Sequence, residues 1–299
     1  MSSHSASFNF PPDFLWGIIP YEGFEADKEN FSYIFRLQEK HIKAVQINVS
    51  RAACEPLRGN YNEEYIETLR TLLTRIHSRY INTLVILNTK DAPGWQKLDH
   101  PNKEDYSDEY NFLVHLTDAL CPYTNFFGIQ CPDGTIFNRS SLSSRLEVIT
   151  DICGHIQSLS ESVQTVLVLN SLKNEWLNLV RYRFIKDIPV DCLGVNADEN
   201  TFKAVQSLFG DEHKPIMILS DNLKKEQPVR RAEIMADNLY SFWRFYQTGW
   251  PILGYYSETD ITTDSKYQLL YDISSSNNAF MISDDMPYLP EKWRNFLKD

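Results

Sequence analysis

Five carboxylates fall just past the ends of short apolar runs: Asp91, Asp133, Asp221, Glu258 and Asp260. Paired carboxylates serve two chemistries, general acid–base catalysis and the holding of a divalent cation. Acidic residues are also ordinary loop residues in a chain of formal net charge -11. A second group is neutral. Gln46, Asn88, Thr89, Gln130 and Asn196 lie in or at the ends of the same runs. Amides and hydroxyls of this kind hydrogen-bond a sugar or polyol without ionising. Trp95 suits a sugar platform or a residue that packs its own loop. Cys131 becomes a nucleophile only if a base or cation lowers its pKa. Of the seven histidines (4, 41, 77, 100, 115, 155 and 213), only His100 falls near a strand end on the same side. That distribution leaves no His-rich zinc set and no partner for a Ser220–His dyad.

These residues need elements to position them. The apolar runs are Phe14–Ile18, Ala44–Val49, Thr83–Leu87, Phe126–Ile129, Thr165–Leu169, Cys192–Val195, Ile216–Leu219 and Ile252–Tyr256. They are brief and rich in Val, Ile, Leu and Phe, as strands covered on both faces must be. Helical periods lie between them. Ile66, Leu69, Leu72, Leu73 and Ile76 form one apolar stripe, and Ile234, Leu239, Phe242, Trp243 and Tyr246 another. Further helices are expected over 33–40, 108–120, 144–159, 174–186 and 201–209. Eight strands alternating with helices predict an α/β chain folded as a (β/α)8 TIM barrel. An open doubly wound sheet is the rival. It usually carries a Gly-rich phosphate turn after its first strand, and Trp16-Gly17-Ile18-Ile19-Pro20 is not one. The barrel is expected over residues 8–275, with 276–299 as a C-terminal extension packing on it. Irregular segments are expected at Lys97–Asp108, Asp133–Ser143 and Ser274–Pro287.

Composition narrows the partners. With 299 residues, 42% of them hydrophobic, the chain can bury one large core. Its negative charge opposes phosphate backbones and anionic lipid heads, so no nucleic acid and no membrane are expected as partners. The N-terminus lacks the basic and apolar regions of a signal peptide, and no apolar run is long enough to span a bilayer. The five cysteines form no C-x-x-C pair. A reducing, cytoplasmic setting is expected, with no disulfide framework, metal or cofactor. The sequons at Asn30, Asn48 and Asn138 then count as chance, and Asn48 falls in a strand expected to be buried.

The runs also carry a family pattern. Phe10-Pro11-Pro12-Asp13-Phe14-Leu15-Trp16-Gly17 resembles the F-P-x-D-F-L-W-G opening of the family 1 glycoside hydrolases, the β-glucosidase-like enzymes. Tyr21-Glu22-Gly23 is similar to the tail of their Y-Q-x-E-G segment. Lys43 to Arg51 stands where the family has Y-R-F-S-I-S-W-S-R. Glu55-Pro56 followed by Asn62-Glu63-Glu64 resembles the P-x-x-G-x-x-N-x-x-G/A turn. Val85 to Pro93 parallels V-T-L-x-H-W-D-L-P, and Phe126 to Pro132 parallels W-x-T-F-N-E-P. Leu193-Gly194-Val195-Asn196 is similar to F-I-G-x-N-Y-Y, Lys214-Pro215-Ile216 to the start of K-P-I-Y-I-T-E-N-G, and Gly254-Tyr255-Tyr256 to the start of G-Y-F-x-W-S. The matches run in family order over residues 8 to 260.

The resemblance implies a retaining glycosidase, whose chemistry needs two carboxyl groups about 5–5.5 Å apart. The family takes them from N-E-P and T-E-N-G. The corresponding positions here hold Cys131 and Ser220. A thiol with a usual pKa of about 8.5 is a poor proton donor to a glycosidic oxygen, and a serine needs a general base to attack. Other sugar-contacting positions differ as well. The His-Trp pair reads Thr89-Lys90, the Tyr after Asn196 reads Ala197, and the sugar-stacking Trp reads Glu258. The first expectation is therefore a pseudo-glycosidase, a non-catalytic barrel that binds a saccharide or a protein partner. The alternative is an atypical O-glycosyl hydrolase, a carbohydrate-metabolising enzyme working through Asp133, Asp221 or Glu258. A third is a different enzyme at the same barrel mouth. The expected site lining is Gln46, Asn88, Thr89, Gln130, Asn196 and Trp95.

Overall fold

The computed structural model describes residues 5–19, 37–39, 42–88, 93–95, 103–130, 139–169, 186–197, 199–210, 212–220, 228–257 and 279–283. Eight parallel strands close into a barrel: β2 (Leu15–Ile18), β3 (Ala44–Ser50), β4 (Asn82–Asn88), β5 (Phe126–Gln130), β6 (Gln164–Val168), β7 (Cys192–Asn196), β8 (Ile216–Ser220) and β9 (Ile252–Ser257). The order in space is the order in sequence, and β9 pairs with β2 to complete the ring. Each of the eight expected runs supplies one strand, with ends moved by a residue or so. The remaining two strands, β1 (Ser5–Asn9) and β10 (Ala279–Ser283), form a separate antiparallel ribbon.

Three segments expected to be irregular are partly regular. Among the described residues, the α-helices of four residues or more are α1 (Arg51–Cys54), α2 (Glu63–His77), α3 (Lys103–Leu120), α4 (Arg139–Leu159), α5 (Glu199–Phe209) and α6 (Pro228–Gln247). Helix α3 thus takes in 103–108, α4 begins within 133–143, and β10 lies inside 274–287. The two helices open on polar runs, Lys103-Glu104-Asp105 and Arg139-Ser140-Ser141, which show no apolar period. The helix expected over 174–186 lies outside the described residues apart from Lys186.

Alternation along the strands sets up two layers. Outward residues such as Val45, Ile47, Val85, Leu87, Phe127, Ile129, Leu167 and Leu193 join the helices in one large core. Inward residues Ala44, Leu84, Ile86, Val166, Val168, Cys192, Met217, Leu219 and Tyr256 form a smaller cluster within the barrel. Helix α2 starts where the Asn62 side chain accepts the Tyr65 N–H at 3.2 Å, and it buries Ile66, Leu69, Leu73 and Ile76. Each such side chain contributes about 1.5–3 kcal/mol. On α6 the buried stripe is Met235, Leu239, Phe242 and Phe245, with Ile234, Trp243 and Tyr246 half-buried at its edge. The stripe is rotated by about one residue from the expected one.

The opening motif is a packing device. Phe14 donates its N–H to the Pro11 carbonyl at 3.0 Å, which folds the chain back. The rings of Phe10 and Phe14 stack at 4.5 Å, and both meet Trp16 edge-on at 5.4 and 5.1 Å. Phe242 of α6 closes the cluster. Gly17 points the other way. A Cβ there would lie 2.4 Å from the Tyr256 ring, so only glycine lets that ring lie across the strand.

Two matching clasps pin the amino ends of the strands. Asn125 Oδ1 accepts the Thr83 N–H at 2.9 Å, joining β4 to the start of β5. Asp191 Oδ2 accepts both the N–H and the hydroxyl of Thr165, joining β6 to the start of β7. Fixing the register at one end fixes which residues emerge at the other. Those are Gln130 on β5 and Asn196 on β7.

Candidate functional site at the barrel mouth

Six of the eight barrel strands end on an uncharged polar residue: Ser50, Asn88, Gln130, Asn196, Ser220 and Ser257. The carboxyl end of a (β/α)8 barrel is where its loops build a site. Parity places several of these residues on the inner face. Gln130 stands in register with Val168, and Asn196 alternates with the inward Cys192 and Gly194. Asn196 is also paired with Ser220, past an irregularity in the β7–β8 ladder.

Strand β3 carries its polar residues deeper. Gln46 pairs with Leu84 and Asn48 with Ile86, so both face inward. Gln46 is 5% exposed. Its Nε2 donates to Asn48 Oδ1 at 3.2 Å. Its Oε1 is buried with no partner among the described residues, as is Gln130 Oε1. Tyr256 lies fully buried in the same interior, and its hydroxyl has no partner among the described residues. Burial, and then the neighbouring Cys192, push that hydroxyl's pKa well above its usual value. It is therefore a neutral donor at any physiological pH. An unpaired buried polar atom costs about 1–3 kcal/mol unless water or a ligand satisfies it.

Beside the mouth sits an ion pair that the sequence did not single out. Arg51 and Glu55 are both buried, with Nε and Oε2 3.2 Å apart. The Arg51 guanidinium stacks over Trp95 at 5.4 Å and Phe112 at 5.1 Å. Trp95 Nε1 donates to the Glu55 carbonyl at 3.2 Å, and Glu55 Oε1 accepts the Gly59 N–H at 2.9 Å. Gly59 has φ +68, the left-handed region glycine favours. The motif residues Arg51, Glu55, Gly59 and Asn62 thus build one turn over the end of β3. Trp95 is half-buried, and one face of its ring and its N–H serve that turn.

The candidate residues divide accordingly. Gln46, Gln130 and Asn196 are inward on the barrel, and Trp95 stands at its rim. Asn88 and Ser220 end their strands. Thr89, Asp91, His100, Cys131, Asp133, Asp221, Glu258 and Asp260 lie outside the described residues. Asn48, expected in a buried strand, is on the inner face but exposed. It and Tyr256 are the residues sequence reasoning passed over. The signal available was the i, i+2 spacing of Gln46 and Asn48, which puts two amides on one face of a strand. Among the described residues no inward strand position holds a carboxylate, and no group of three or more His, Cys, Asp or Glu could hold a metal ion.

The solved structures that this barrel matches include β-glucosidases. The barrel superposes on a Thermotoga maritima β-glucosidase in complex with cyclophellitol at a TM-score of 0.65, with 10% identity, over 84% of this chain and 89% of that one. It matches the AHE enzyme of Alicyclobacillus herbarius at 0.63, with 15% identity, over 83% and 88%. A Thermotoga maritima family 1 glycoside hydrolase complexed with a cyclophellitol analogue gives 0.63 and 12%, over 84% and 89%. The fold resembles that of the family 1 glycoside hydrolases. At such identities the likeness is one of fold alone. No protein-family model matches the sequence, and no curated protein does. Among the described residues no helix is long and apolar enough to cross a membrane.

Proposed function

We propose that this chain is a glycoside hydrolase family 1-like barrel that binds without cleaving, a pseudo-glycosidase whose mouth holds a neutral, hydroxyl-rich ligand such as a saccharide or polyol. The observation that carries the reading is the run of uncharged polar strand ends, Ser50, Asn88, Gln130, Asn196, Ser220 and Ser257. Hydroxyl groups both donate and accept, so they satisfy amide and hydroxyl side chains without charge compensation. The pairing of Cys131 and Ser220 with the family's two glutamates, which follows from the sequence resemblance, supports the non-catalytic half of the reading. Retaining hydrolysis needs one carboxyl group to donate a proton and another to attack.

The test has two arms. Purified protein is assayed with aryl β-glucosides, and in parallel titrated calorimetrically with D-glucose and cellobiose. Binding without turnover is the expected result. Turnover well above background that disappears in Asp133→Asn, Asp221→Asn or Glu258→Gln would replace this reading with that of an atypical O-glycosyl hydrolase. Neither turnover nor binding would point to a protein partner and a surface elsewhere on the barrel.

A further inference from the structure

Polar residues reach into the barrel interior mainly along one strand. The inward positions of β4 are Leu84 and Ile86 before the terminal Asn88, and those of β6 are Val166 and Val168. Strands β5 and β7 place Gly128 and Gly194 there, each tucked under a neighbour's Ile86 or Leu219 side chain. Strand β8 offers Met217 and Leu219. Strand β3 alone carries Gln46, Asn48 and Ser50 in succession at i, i+2 and i+4. At about 3.3 Å per residue this is a polar track roughly 13 Å long, from strand end to core.

We propose that the ligand is recognised along this β3 track, with Asn48 and Gln46 as its principal contacts, rather than at the ends of β5 and β8. The assignment rests on the reading of the mouth as a polyol site and adds where in it the ligand stands. Two observations support it. Asn48 faces inward yet is exposed, so its amide meets solvent on the inner face of β3. Gln46 is 95% buried and still has one amide edge unpaired among the described residues. Its other edge is held by Asn48, which orients the free edge. If the amide is turned over, the free edge becomes a donor in place of an acceptor. A hydroxyl satisfies either arrangement, whereas a carboxylate or phosphate satisfies only one and brings an uncompensated charge. The ligand class is therefore a neutral polyol that presents a hydroxyl end-on to the core.

The experiment uses the full chain and three variants, with D-glucose and cellobiose as probes and glucose 6-phosphate as the charged comparator. Asn48→Ala removes the acceptor of the buried Gln46 Nε2, so it should lower Tm modestly, and it should weaken binding about 3- to 10-fold, the worth of one hydrogen bond. Gln46→Leu keeps the volume and removes a buried unpaired group. It should leave Tm unchanged or raise it, and weaken binding at least as much. Asn196→Ala, on the far wall, should have the smaller effect, and glucose 6-phosphate should bind more weakly than D-glucose. If the unmodified chain binds D-glucose or cellobiose and only Asn196→Ala weakens it, the β3 assignment is wrong and the polyol site stands. If Gln46→Leu lowers Tm and leaves binding intact, Gln46 is structural and the assignment is again wrong. If the unmodified chain binds neither sugar, the polyol reading fails and takes the β3 track with it.

Discussion

Removing Glu55 should be among the most damaging single changes in the described structure. Both members of the Arg51–Glu55 pair are buried, their side chains 0% and 2% exposed. Arg51 stays charged at any attainable pH, so Glu55→Ala takes away the buried carboxylate that its Nε meets at 3.2 Å. Breaking a buried pair in this way costs about 3–5 kcal/mol. The Gly59 N–H also loses its acceptor, but it is exposed and water replaces most of that bond. Total stability for a domain is about 5–15 kcal/mol, so the variant forfeits a large share of it. The stacking of Arg51 on Trp95 and Phe112 does not compensate, because it is present in both forms. The double variant Arg51→Met/Glu55→Leu removes both charges, keeps bulk, and should recover most of the loss. Urea unfolding followed by circular dichroism gives each free energy. Indole emission reports Trp95, which hangs from the Glu55 carbonyl. A cost below about 1 kcal/mol for Glu55→Ala, or a double variant no better than the sum of the singles, would show that the pair is not desolvated as described.

Three further outcomes follow from the barrel interior. Gly17→Ala sets a Cβ 2.4 Å from the stiff Tyr256 ring, whereas Gly194→Ala meets the mobile end of Leu219 at 2.2 Å. Overpacking costs about 1–3 kcal/mol, so thermal melts should rank Gly17→Ala as the more destabilising. Tyr256→Phe removes a buried hydroxyl with no described partner and should leave the melting temperature level or higher. A loss above about 1 kcal/mol would mean that the hydroxyl is bonded in solution. Burial pushes the Cys153 thiol up to about 12 from an ordinary value near 9. The unfolded chain thus releases that proton first, and stability held below pH 9 should fall as pH rises toward 12. Cys192 is shifted in the same direction. A urea midpoint independent of pH across that window, with refolding reversible, would contradict the described burial.

The barrel was legible because its information is periodic. Strands covered on both faces leave apolar runs, and all eight were visible, from Leu15–Ile18 to Ile252–Ser257. The ribbon of Ser5–Asn9 and Ala279–Ser283 was not, since a two-stranded edge needs no apolar run and its halves lie 270 residues apart. The turn over β3 was visible only as a motif. Its cause, a buried Arg51–Glu55 pair capped by Trp95, depends on which face of a four-residue helix meets α3, and four residues have no period to read. Gln130 and Asn196 could be placed at the mouth from their positions at strand ends. Asn48 could not, because a sequon-bearing residue in a β-rich run reads as buried until the closure of the barrel shows which interior positions stay open.

The two layers of the barrel answer to different demands, and this is why a mouth can change while the fold persists. Packing outside the strands is set by residues such as Phe14, Trp16 and Phe242, which never face the interior. Packing inside depends on a few complementary fits, Gly17 under Tyr256, Gly128 under Ile86 and Gly194 under Leu219. These fits lie below the strand ends. Positions at the ends, such as the half-buried Gln130 and Asn196, contribute little to either layer. An uncharged polar residue there costs the fold little, so the strand ends can vary without disturbing either layer. Gln46 breaks the rule. It lies in the inner layer, where Leu would pack and no partner would be needed, and it keeps an amide edge unpaired at a cost of about 1–3 kcal/mol. A group that the fold does better without is best explained by what it meets, which is why the test of ligand recognition turns on Gln46→Leu.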